Sequence, residues 1–195
     1  MSQRFNDTDP DFVAETTRGT TNPLNMVAIV GLTLGAVFGL AGTFVPQPNL
    51  RNASWGLDAL GLVMAASLLA LKFLKKGNEI VAGGFLVFAI GEAVMLSGTA
   101  AGLAGSVPAF AAGTGLWATS LLLISIPRQF PSAVRVIGMA SSVLFFITSF
   151  CVFWGATISP ISSPLPFFAY PFLVLTFLGW IWTLLRESRR EKGPA

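Results

Sequence analysis

The sequence predicts an all-α fold: an integral membrane bundle of six transmembrane helices with both termini cytoplasmic. Three observations carry that expectation. Of 195 residues, 53% are hydrophobic and only 11% charged, against about 25% charged in ordinary soluble domains. Six apolar runs follow one another, each close to the roughly 20 residues needed to cross a hydrocarbon core. Eleven of the twelve Lys and Arg residues fall on one side of the layout those runs define. The positive-inside rule makes that side cytoplasmic.

Composition removes several function classes. The chain has no histidine and one cysteine, Cys151, inside an apolar run. No intramolecular disulfide, Cys-based metal site or His-based zinc, haem or general-base scheme can be assembled from that inventory. No cofactor, metal or catalytic set is expected, and the chain is not expected to be an enzyme. Net charge is +3. The basic residues sit in short loops and at the C-terminus, which is a topology signal and not a nucleic-acid surface.

Residues 1–22 hold Asp7, Asp9, Asp11 and Glu15 among Ser, Thr and Asn, and form a flexible cytoplasmic tail by pattern. Residues 23–186 form the transmembrane domain, and 187–195 a basic cytoplasmic tail. The six runs fall at about 24–45, 56–74, 80–99, 108–126, 134–157 and 167–185. Continuous runs without alternation exclude a barrel. Pro108 divides the third run from the fourth, because 80–126 is far too long for one span. Lys75-Lys76-Gly77 is the clearest cytoplasmic connection, and Asn78-Glu79 after it predicts an N-cap with an acid in the first turn. On the opposite side only Arg51 and Asp58 are charged. Ser159 to Pro166 is proline-rich and predicts a stiff extended cap. Trp55, Trp154, Tyr170, Trp180 and Trp182 lie near expected span ends, as interfacial aromatics do. The Phe-rich fifth run, with Phe145, Phe146, Phe150 and Phe153, predicts packing or lipid-facing positions.

Two features stand out within the spans. Gly31, Gly35 and Gly39 repeat at four-residue spacing, followed by Gly42. Small residues let helix backbones approach in lipid, so this stripe predicts a helix-packing seam. The same glycines could instead line a narrow path. Glu92 lies 12 residues beyond Ile80, or about 18 Å at 1.5 Å per residue. An ionised acid there costs on the order of 2.5–3.5 kcal/mol, so it should face a cavity or a polar partner.

Several short motifs resemble the succinate–acetate uptake transporter family. Asn22-Pro23 opens the first span as that family's longer proline signature does. Lys75-Lys76-Gly77-Asn78 is similar to a sequence between its second and third spans. Phe85-Leu86-Val87-Phe88-Ala89 looks like its Phe-x-x-Tyr-Gly pattern without the hydroxyl. Gly115-Leu116-Trp117 and Gly179-Trp180 match in the fourth and sixth spans. The rest of the proline signature is lost, and Glu92 stands where the family carries an aromatic residue. The resemblance implies a transporter or channel for a small solute, with a short monocarboxylate such as acetate as first candidate. It implies a homo-oligomer, a hexamer, with a path through each subunit. Gly31 and Phe88 would border that path near the middle of spans one, three and five. Glu92 would be its proton acceptor or selectivity gate. The expected location is a bacterial-type plasma (inner) membrane. The competing expectation is a non-transporting membrane subunit that packs against a larger complex, favoured by the low polarity of the spans.

Overall fold

The computed structural model describes residues 23–161 and 164–191. Six helices are long and apolar enough to cross a membrane. They are α1 (Pro23–Phe44), α2 (Pro48–Lys75), α3 (Glu79–Thr99), α4 (Val107–Ser125), α5 (Ser132–Phe153) and α6 (Pro164–Glu191). A single turn, Gly102–Gly105, bridges α3 and α4, where the division before Pro108 was expected.

Proline marks several of the starts. Pro23, Pro48, Pro108 and Pro164 all stand in the first two positions of a helix, where the missing N–H would have no partner in any case. This rule corrects two boundaries. α2 begins at Pro48, eight residues before the apolar run at 56, because Asn, Ser and Arg are tolerated in a first helical turns outside the hydrocarbon. α6 begins at Pro164 inside the segment expected to be extended, and it continues through 187–191, which were assigned to the tail. Residues 1–22, 162–163 and 192–195 lie outside the described residues.

The α2–α3 connection is a helix stop. Gly77 has φ +73°, its N–H donates to the Leu74 carbonyl, and the Asn78 N–H donates to that of Phe73. These are the paired bonds of a Schellman motif, whose left-handed position favours glycine. Asn78 occupies the cap position of α3 without a side-chain capping bond. Its Oδ1 accepts from Gln129 Nε2 at 2.7 Å instead.

Each helix packs on its neighbours in sequence, and α6 returns to α1. The result is a closed ring of six. Pro23 and Glu191 lie at one end, joined by a hydrogen bond from Asn25 Nδ2 to Ser188 Oγ. That end is called the termini end here, and the opposite one the loop end.

Opposite helices meet through side chains inside the ring. Phe85 and Phe88 of α3 contact Trp180, and Phe88 also contacts Phe177 of α6. Phe73, Phe130 and Trp117 complete the aromatic core. Trp180 is therefore a core residue, contrary to its expected interfacial place. α5 divides its phenylalanines: Phe145 is fully buried, while Phe146, Phe150 and Phe153 face outward.

Candidate functional site

The glycine stripe of α1 sets the position of α2, one turn at a time. A Cβ at Gly31 would overlap the Gly61 carbonyl oxygen and stand 2.8 Å from Ala65 Cβ. A Cβ at Gly35 would overlap Leu62, and one at Gly42 would overlap Trp55. At Gly39 it would lie 3.0 Å from Asp58 Oδ2. The stripe thus brings the α2 face carrying Trp55, Asp58 and Leu62 against the α1 backbone.

Asp58 is consequently inside the bundle. It is 8% exposed, although the sequence placed it with the loops. It lines a cavity of about 90 Å3 that runs from the loop end into the ring. Gly35, Gly39, Trp55 and Leu62 share that wall. Glu92 and Met95 enter from α3, Phe110 and Trp117 from α4, and Tyr170, Leu173 and Phe177 from α6. Asn52, Thr99, Ser106 and Pro160 line it toward the loop end.

Glu92 is 4% exposed. One oxygen of each acid, Asp58 Oδ1 and Glu92 Oε2, has no hydrogen-bond partner. The two carboxyl groups lie within electrostatic reach of each other, and the Tyr170 hydroxyl lies within reach of both. Trp117 approaches Glu92, but its buried Nε1 completes no hydrogen bond. No Lys or Arg lines the cavity among the described residues.

The expected site residues separate. Glu92 and Gly35 and Gly39 lie on the cavity. Gly31 does not; it sits deeper in the α1–α2 seam against Gly61 and Ala65. Phe88 is buried beneath the cavity, stacked on Trp117 with ring centroids 5.6 Å apart and planes 7° apart. α5 contributes nothing to the lining among the described residues, whereas α2, α4 and α6 do. Below Trp117 and Phe177 the aromatic core fills the ring.

A second polar cluster closes the termini end. Lys72, 7% exposed, donates to Asn25 Oδ1 at 2.8 Å and to Glu187 Oε2 at 2.5 Å. Lys76 binds the other Glu187 oxygen. This cluster joins α1, α2 and α6. Sequence reading missed it, because Glu187 was assigned to a free tail. It missed Asp58 as a buried acid because the start of α2 was set too late; Pro48 was the available signal.

No family model, curated protein or solved structure matches the chain.

Proposed function

We propose that the protein is a membrane transporter or channel for a small solute, with its path along the axis of the helix ring. One observation carries this reading. Two buried acids with unpartnered oxygens line an axial cavity in a chain that is otherwise poor in charge. An uncompensated acid within a span costs a few kcal/mol, and a bundle with a purely structural role gains nothing from two. With both termini in the cytoplasm of a bacterial-type cell, the cavity would face outward. Continuation of the path needs the Phe88–Trp117 stack to part.

The likeness to the succinate–acetate family supplies acetate as the first solute to assay and a homo-hexamer as the first assembly to look for. Its best-matching motif, Lys75 to Asn78, also has a local cause in the helix stop at Gly77. Among two acids and no lining cation, acetate would travel as the neutral acid. Uptake of labelled acetate by proteoliposomes, read above protein-free liposomes, tests the reading with Glu92→Gln and Phe88→Ala. Glu92→Gln should abolish the protein-dependent flux, and Phe88→Ala should raise it. Unchanged flux in both variants removes these residues from the path, and no flux in the parent removes acetate.

The aromatic filling of the ring favours a second reading, a non-transporting subunit of a larger membrane complex. A protein that purifies as a closed homo-oligomer speaks for transport, and one that is recovered only with unlike chains speaks for the subunit.

A further inference from the structure

The acid pair has a chemistry opposite to that of a carboxylate solute. Asp58 and Glu92 approach one cavity from α2 and α3, and neither has a cation beside it among the lining residues. Each retains a buried oxygen without a protein partner. Buried polar groups of native proteins are nearly always paired, so two orphaned carboxyl oxygens at one cavity, with the Trp117 indole beside Glu92, mark a place that can take a further donor. The remaining walls are aromatic. Trp55, Phe110, Trp117, Tyr170 and Phe177 surround the two acids. Aromatic faces attract ammonium groups through the ring quadrupole, and more strongly where water is excluded. The terminal torsion of a carboxyl side chain is soft, so both acids can turn an oxygen to a guest between them.

We infer that the loop-end cavity is a binding site for a small monovalent ammonium-type cation, held by Asp58 and Glu92 and walled by Trp55, Trp117 and Tyr170. A primary ammonium brings three donors, enough for both orphaned oxygens, and its alkyl part meets the rings. The volume of about 90 Å3 limits the guest to a few heavy atoms. Gly39 is part of the site, because its missing Cβ leaves the space that the Asp58 carboxylate occupies. The inference puts an ammonium-type cation in place of acetate as the solute and rests on the transport reading only for its movement; binding itself is independent of movement.

The test is calorimetric titration of the purified full chain in detergent with methylammonium chloride. Sodium chloride and sodium acetate at equal ionic strength are the comparisons. The expected result is saturable binding of methylammonium alone, with a matching change in Trp fluorescence. Asp58→Asn and Glu92→Gln should each weaken it at least tenfold. Both substitutions keep side-chain size and remove a buried carboxyl group, so thermal melting of the variants checks that they remain folded. The parent's preference among the three salts decides the matter even if a variant unfolds. No saturable binding of methylammonium, the same signal from acetate or sodium, or unchanged binding in two folded variants overturns the site. Methylammonium that binds without entering proteoliposomes leaves the site standing and removes the transport reading. Protein-dependent acetate flux without methylammonium binding does the reverse.

Discussion

Replacing Gly31 by alanine separates a packing position from a path position, and Gly83 supplies the control. Both lie within helices, so alanine lowers backbone entropy in the unfolded chain equally and gains about 1 kcal/mol at each. They differ in what the new methyl meets. At Gly83 there is nothing within 4 Å, and the gain stands uncompensated. At Gly31 the methyl overlaps the Gly61 carbonyl oxygen and lies 2.8 Å from Ala65 Cβ. A backbone oxygen cannot rotate aside, so α1 and α2 must move apart. Overpacking of this kind costs about 1–3 kcal/mol. Gly31→Ala should therefore be destabilised by about 1 kcal/mol on balance, while Gly83→Ala is stabilised by a similar amount. Reversible unfolding in mixed micelles with a denaturing detergent measures the difference. A Gly31→Ala variant as stable as Gly83→Ala would refute the close seam. It would also return Gly31 to the candidates for a path lining.

Three further outcomes follow from the packing. Lys72→Met leaves Asn25 and Glu187 without their buried donor and should cost about 2–3 kcal/mol; Lys76→Met, at an exposed partner of the same carboxylate, should cost under about 1 kcal/mol, and equal losses would count against the burial contrast. Phe88→Ala removes a fully packed ring from the aromatic core and should lower stability by about 3–5 kcal/mol, read by the same micelle titration. On α5, Phe145→Ala should be strongly destabilising while Phe146→Ala, facing outward, stays within about 0.5 kcal/mol of the parent; a reversed order would mean that the helix is rotated from its described face.

The span count was legible because lipid imposes one requirement on every helix, about 20 apolar residues in a row, and that requirement is local. The glycine seam was legible for a similar reason, since its spacing is written along one helix. Glu92 could be singled out because a charge in an apolar run has a cost wherever it points. What could not be read was partnership across the ring. Nothing in α2 alone says that Asp58 turns toward Glu92; that follows from the fit of Gly39 against it. Helix ends depart from the apolar runs where start and stop chemistry, not apolar length, sets them. Pro48 and Pro164 were better markers than hydropathy, and the error at Pro48 hid an acid. Trp180 was assigned to the interface because of its residue type, but the length of α6 carries it into the middle of the bundle.

The clasp at the termini end has a consequence for how the protein is made. Lys72 and Glu187 are 115 residues apart in the chain. A ribosome delivers the lysine with α2, and the carboxylate only with the last helix. For most of synthesis the nascent protein is an open arc of helices whose Lys72 has yet to meet the Glu187 carboxylate. Arrival of α6 supplies that carboxylate, ties Asn25 to Ser188, and closes the ring. A chain released before α6 would retain five of its six spans and be left as an arc, without the Phe177 and Trp180 that fill the ring and with its edges available to other unfinished chains.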